Sequence, residues 1–197
     1  MEERVCAPDR WRDDPADVVD AVAAARAGGT TLILGIDGRS GSGKTELAAL
    51  VAAHLPRVRV LHLDDAYPGW DGLERGLSHV AASVLAPLAD GGAGRHRRWD
   101  WAADAPGEWV DIPRLAPGDL FVVEGCGALA EPCGRFLDVG VWCHAPLEVR
   151  RARALGRDGH VWADVWGRWA AQEERLRYRR RADLCLRAPR TETGGRG

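Results

Sequence analysis

Eight consecutive residues carry the densest chemistry in the chain: Gly38-Arg39-Ser40-Gly41-Ser42-Gly43-Lys44-Thr45. They meet the pattern G-x-x-x-x-G-K-[ST] at every fixed position. Glycines let a backbone fold back on itself and aim its N–H groups at a polyphosphate. A helix that begins at such a loop adds its unpaired N–H groups and the positive end of its dipole. In this arrangement Lys44 reaches the terminal phosphates and the Thr45 hydroxyl binds Mg²⁺. Lys44 is also the only lysine among the 27 Lys and Arg residues. Arginine serves wherever a generic cation would do, so the lone lysine marks a place that wants a compact ammonium on a flexible stem. A GC-rich genome accounts for part of the same bias.

Three further groups of residues belong to the same chemistry. Asp64-Asp65 follows the apolar run Val58–Leu63, and a carboxylate there suits a base that accepts a proton from an attacking hydroxyl. Asp65 reads equally well as a turn or cap residue. Glu124 ends the apolar run Leu120–Val123, where an acid can sit near Mg²⁺. Arg150, Arg151, Arg153 and Arg157 cluster on one segment. Planar guanidiniums stabilise charge developing on a transferring phosphoryl group. Arg153 and Arg157 stand one helical turn apart and are the preferred pair.

These residues need a scaffold. Thr31–Ile36 reads as a buried parallel strand before the glycine loop, and Glu46–Leu55 as the helix after it. Asp14-Pro15 opens a helix to about Ala27, ended by Gly28-Gly29. Further strands are expected at Val58–Leu63, Leu120–Val123, Asp138–Cys143 and Ala182–Leu186. Helices are expected over 74–90, with Pro87 disturbing the end, from Pro146 to a break at Arg157-Asp158-Gly159, and from Val161 to about Arg181. Arg95–Trp101 and Glu108–Pro113 suit a small hairpin off the sheet. Strands alternating with helices predict an α/β fold with a parallel sheet. Ligands then sit beyond the carboxyl ends of the strands, which puts Asp64 and Asp65 on the same rim as the glycine loop.

Bulk properties narrow the partners. The chain has 197 residues, which suits one domain spanning 1–197 with a small acceptor lobe around 91–113 and a lid around 150–160. Net charge is −2 and the pI about 6.3, so no nucleic-acid surface is expected. No apolar run reaches membrane-spanning length, and residues 1–20 lack the apolar centre of a signal peptide. A cytoplasmic protein is expected, with a small-molecule acceptor as its partner; self-association into a homo-oligomer is left open. The five cysteines form no C-x-x-C pair, so neither zinc nor a disulfide framework is expected; Cys126, Cys143 and Cys185 read as small core residues. Among the nine tryptophans, Trp99 and Trp101 suit either stacking on a planar ring or packing within the hairpin. Trp162, Trp166 and Trp169 share a helix face and read as packing. No histidine is assigned a role.

Over about residues 31–187 the chain resembles the uridine kinase-like branch of P-loop kinases. Asp64-Asp65-Ala66-Tyr67 looks like that family's D-S-F-Y segment, Val123-Glu124-Gly125 like its F-E-G, and Trp99-Asp100-Trp101 like its Y-D-F. The resemblance implies a P-loop NTPase fold, with a five-stranded parallel sheet in the order 2-3-1-4-5, flanking helices and a lid. It implies ATP and Mg²⁺ as cofactors, held by residues 38–45 with Thr45 and Glu124 on the metal. It makes Asp64 the base for an acceptor hydroxyl, Tyr67 a substrate contact and Trp99 the ring-stacking residue. Lys44, Arg153 and Arg157 become charge stabilisers. The chain departs from the family where a pyrimidine-selecting histidine follows Y-D-F, since Ala103 and Asp104 stand there. So the expected activity is phosphoryl transfer to a small-molecule hydroxyl, a nucleoside first. A sugar acid, a pantothenate-like molecule, an antibiotic or a nucleoside monophosphate is the alternative acceptor, and a non-catalytic ATP-binding module the alternative class.

Overall fold

The computed structural model describes residues 5–29, 31–158, 160–179 and 182–187, without the side chains of 157–163. In chain order the main elements are β1 (Trp11–Arg12), α1 (Pro15–Ala25), β2 (Leu32–Asp37), α2 (Lys44–His54) and β3 (Val58–His62). A helical run α3 (73–89) and a hairpin of β4 (Gly94–Asp100) and β5 (Ala105–Ile112) follow. Then come β6 (Leu120–Glu124), β7 (Val139–His144), α4 (Leu147–Asp158), α5 (His160–Arg175) and β8 (Leu184–Arg187).

The central sheet is wholly parallel, in the order β1-β8-β7-β2-β6-β3. This corrects the expected five-stranded sheet: it has six strands, and the order differs by the additional β1 at the β8 edge, inside which the five expected strands run 2-3-1-4-5. A two-residue strand carries no periodicity that a sequence reading can find. It is held by pairing of Trp11 with Cys185 and Arg12 with Leu186, and by the Arg187 guanidinium over the Trp11 ring. β2 lies in the middle, paired with β6 on one side and β7 on the other, and every residue of it is buried.

Alternation along β2 feeds two cores. Leu32, Leu34 and Ile36 pack with Val18, Val19 and Val22 of α1 and Leu47 and Val51 of α2. Ile33 packs on the other face with Phe121, Val123 and Trp142, beneath Leu77 and Val84 of α3 and Trp169 of α5. The Asp14 side chain accepts from Ala16 N at 2.9 Å and caps α1. In α3 the turn widens to a π-helix at Ala81–Leu85, just before Pro87. The proline ring cannot share space with the carbonyl four residues back, and a wider turn relieves that conflict without ending the helix. No helix among the described residues is long and apolar enough to cross a membrane.

Two further expectations need correction. α5 ends at Arg175 rather than near Arg181. Beyond it the backbone is drawn to other partners: the Arg177 carbonyl accepts from Glu131 N at 2.8 Å, and the Tyr178 ring packs edge-on against Trp142. The cysteines are not all free, because Cys6 and Cys185 form a disulfide across a sequence separation of 179. Cys126, Cys133 and Cys143 are free and buried. The bridge ties the segment before β1 to the edge strand β8, and closing so long a loop contributes on the order of 3–5 kcal/mol. A reductant is therefore expected to lower the urea midpoint of the wild-type chain. Cys6→Ser should show the lowered midpoint already and no response to reductant; equal midpoints for both proteins would remove the bridge from the stability account.

Candidate functional site

Strand register brings the chemistry to one rim. Ile36 of β2 and His62 of β3 both sit opposite Glu124 of β6. Asp37 is the last residue of β2, and the glycine loop begins directly after it. Asp37 is fully buried. Its Oδ1 accepts from Gly38 N at 2.6 Å and from Gly127 N at 2.8 Å, and its Oδ2 from Leu129 N at 2.9 Å. One carboxyl thus joins the start of the loop to the turn that follows β6. Burial pushes its pKa up to about 6, against the pull of these three N–H donors and Lys44.

The loop runs into α2 at Lys44, with Gly43 as N-cap at φ +96°. That backbone angle suits glycine, and a side chain there would point toward the Arg153 guanidinium and the Glu46 carboxylate at the mouth of the cleft. Gly41, at φ +78°, is pressed on α4: an added Cβ would lie 2.3 Å from the Arg150 carbonyl oxygen. Lys44 is buried, and its Nζ donates to the Arg39 carbonyl at 3.3 Å, with the Cys126 sulfur at 3.6 Å. Burial opposes its charge, but Cys126 and the carboxylates of Glu124, Asp64 and Glu173 more than offset this and raise its pKa. The ammonium is therefore a permanent cation at the head of a helix.

Side chains from outside the loop hold it in shape. Glu173 of α5 is buried, and its Oε1 accepts from Ser40 N at 2.9 Å and from Ser40 Oγ at 3.1 Å. Arg150 of α4 is buried; its Nη1 donates to the Ser40 carbonyl at 3.4 Å and its Nε to the Ala145 carbonyl at 3.1 Å. Arg153 is exposed, lines the cleft and donates to the Gly41 carbonyl at 3.4 Å. Of the preferred arginine pair, Arg153 therefore faces the loop. Arg157 falls in the last turn of α4, and its side chain lies outside the description.

The metal-binding expectation has a geometric counterpart. Thr45 Oγ1 donates to Glu124 Oε1 at 3.2 Å, so hydroxyl and carboxylate are adjacent. The same Oε1 lies 2.5 Å from His62 Nδ1. This hydrogen bond is the main reason that the His62 pKa is raised. The hard oxygen donors of Thr45 and Glu124 suit Mg²⁺, and the glycine cradle beside Lys44 suits a polyphosphate. Together with Ser40, Asp64, Cys126, Arg153 and Leu186 they line a cleft of about 680 Å³, large enough for a nucleotide.

Asp64 is exposed and lines that cleft. The Trp101 indole donates to the Asp64 carbonyl at 2.9 Å, and the Trp101 ring packs at 4.8 Å against Trp70. Asp100 turns this end of the hairpin by accepting from Ala102 N and Ala103 N, both at 3.0 Å. Trp99 is half-buried near Gly69. Trp101 and the Trp70 ring packed on it therefore lie beside the Asp64 backbone. Tyr67 departs from its expected role as a substrate contact. It is fully buried, and its hydroxyl donates to the Cys126 carbonyl at 2.8 Å.

Asp37, His62, Trp70, Cys126, Gln172 and Glu173 were not singled out as site residues by sequence. Asp37 and Cys126 directly flank recognised motifs, which was the available signal. Gln172 and Glu173 carry none, because adjacent polar residues near a helix end look solvated. The Asp37 carboxyl gives a test of the local physics. Its folded pKa lies above the unfolded value of about 3.9, so the fold binds the proton more tightly. Stability from this group is full below pH 4 and falls as pH rises to about 6, by roughly 3 kcal/mol. Urea unfolding between pH 4 and 7 should show this slope in the wild-type chain, and Asp37→Asn should lack it. A parallel pair of profiles would exclude a buried, titrating Asp37.

No protein-family model and no curated protein sequence matches the chain. Solved structures do. One is described as a possible uridine kinase from Bacillus stearothermophilus: it is 22% identical, the match covers 94% of this chain and 100% of that one, and the TM-score is 0.61. Another is described as a "putative fructose transport system kinase" from Silicibacter sp. TM1040, at 19% identity, 90% and 100% coverage and a TM-score of 0.55. At these identities the likeness speaks to architecture, and it agrees with the strand, glycine loop and helix described above: the chain has the α/β fold of these two solved structures.

Proposed function

We propose that the protein transfers the γ-phosphoryl group of ATP to a hydroxyl of a small molecule, with a nucleoside as the first-choice acceptor. The observation that carries this reading is that one cleft holds Lys44 and the glycine cradle together with the Asp64 carboxylate. A binding module needs the cradle and its metal-holding pair, whereas a further exposed carboxylate in the same cleft suits a base that takes the proton of an alcohol.

The residues divide the work. The loop amides and Lys44 bind and orient the polyphosphate. Asp64 accepts the proton as the acceptor oxygen bonds to the γ-phosphorus and the bond to the β-phosphate oxygen breaks. Arg153, exposed at the mouth, supplies charge to the transferring oxygens. Mg²⁺ held by Thr45 and Glu124 would neutralise phosphate charge. Trp70 and Trp101, with rings tilted at 55° to each other, offer aromatic surface for an acceptor ring.

The hairpin arginines favour an uncharged acceptor over a monophosphate. Arg95 stacks on Trp109, Arg97 donates to the Gly107 carbonyl at 3.0 Å, and Arg98 pairs with Glu108 at 3.0 Å. All three already have partners within the protein: Arg95 and Arg97 in the hairpin, and Arg98 both there and on Asp65 at 3.6 Å. A sugar-type acceptor is the second reading, favoured by the likeness to the Silicibacter protein described as a fructose transport system kinase.

Lys44→Ala should abolish turnover. Asp64→Asn should leave Mg·AMP-PNP binding intact in calorimetry while lowering kcat by on the order of 10²-fold or more. Radiolabelled ATP offered with a panel of nucleosides, sugars and sugar acids identifies the acceptor. Full activity in Asp64→Asn would remove the base, and nucleotide binding with no labelled product from any alcohol would favour a regulatory module.

A further inference from the structure

Consecutive residues of α5 touch the phosphate loop and the segment that follows Asp64. Gln172 is buried; its Nε2 donates to the Trp70 carbonyl at 2.7 Å and its Oε1 accepts from Leu73 N at 3.3 Å. One helical turn earlier, Arg168 pairs with Asp71 at 3.3 Å, and Trp169 packs edge-on against both Tyr67 and Trp70. This stripe holds the segment that follows Asp64. The next two residues face the other way. Glu173 holds the amide and hydroxyl of Ser40, and Glu174 pairs with Arg39 at 3.6 Å.

The two loops are thus fastened to one rigid rod by neighbouring side chains. Buried charged and polar groups are costly unless their partners are in place. A movement of Ser40 therefore reaches Glu173, and one backbone step along the same helix reaches Gln172 and the 70–73 segment. Neither Gln172 nor Glu173 lines the cleft, so neither is placed to touch a ligand.

We infer that Glu173 and Gln172 are positioning residues that couple the phosphate loop to the acceptor-side segment 70–73, so that filling the first orders the second. This rests on the proposed nucleotide-binding role of the loop. Coupling of this kind makes nucleotide and acceptor binding mutually reinforcing.

Amide hydrogen exchange on the full chain tests this, with Mg·AMP-PNP as the probe and calorimetry alongside. In the wild type, the probe should slow exchange at 38–45 and, by at least threefold, at 70–76. In Gln172→Ala it should still bind within about twofold and still protect 38–45, while the protection at 70–76 disappears. A Gln172 that merely stabilised the fold would raise exchange at 70–76 with and without the probe and leave the difference intact. Glu173→Ala should weaken binding by roughly tenfold and lose protection at both segments. Glu173→Gln, which can still accept from Ser40, should restore both. Should Glu173→Ala fail to fold, Gln172→Ala and Glu173→Gln decide the matter. Probe binding with unchanged exchange at 70–76 in the wild type, or full remote protection in Gln172→Ala, would overturn the coupling alone. Absence of probe binding to the wild type would overturn the nucleotide reading and the coupling with it.

Discussion

A glycine-rich loop has no reason of its own to keep one shape. The freedom that lets Gly41 and Gly43 take positive φ also gives the unfolded chain the most entropy to lose. Every amide aimed at an anion must be held there by something else. In this chain the restraint is a set of buried charges. Asp37 pins the Gly38 amide, Glu173 the Ser40 amide, and Arg150 takes the Ser40 carbonyl. The rest of the architecture brings these three side chains from β2, α5 and α4 to one point.

That arrangement explains why the sheet is built as it is. β2 is central and buried on both faces, so its carboxyl end is a fixed platform. Glu124 and His62 arrive beside it through the registers of β6 and β3. α4 and α5 each add one buried charged side chain that hydrogen-bonds the loop. Buried ions are expensive to maintain, and the compensation here is local. The Asp37 carboxylate meets three N–H donors, and the Glu173 oxygen meets an amide and a hydroxyl. Fixed dipoles set in advance cost nothing to reorganise when a charged ligand arrives.

The platform was legible in the sequence because its signals are local. A run such as Thr31–Ile36, followed at once by Gly38–Thr45, places strand, loop and helix within 25 residues. Val58–Leu63 and Leu120–Glu124 were readable for the same reason, as were the acids that end them. What escaped depends on partners far away along the chain. Cys185 pairs with Cys6 across 179 positions, and β1 exists only because β8 lies beside it. The end of α5 is set by Arg177 meeting Glu131 rather than by any breaker residue. Tyr67 matched a motif position, but its hydroxyl is taken by Cys126. The hairpin end was half legible: its turn chemistry was plain, yet which tryptophan would face Asp64 depended on how Asp100 closes that turn.

The charge balance of the cleft follows from the same economy. Asp64, Glu124 and Glu173 all act on Lys44, the single ammonium at their centre. Arg150 is committed to carbonyl oxygens, and Arg153 stands at the mouth, leaning on the Gly41 carbonyl. Near the loop, acid therefore outweighs mobile base. Under the proposed reading, a polyphosphate entering alone would meet the Glu124 carboxylate as a like charge, which costs free energy in a partly buried site. The hydroxyl–carboxylate pair of Thr45 and Glu124 then has a clear physical use. It lets a divalent cation turn the one unfavourable neighbour of the phosphates into an anchor. Asp64 stands outside that pair, exposed in the same cleft, and in the proposed reading the proton goes to it rather than to the metal-holding carboxylate.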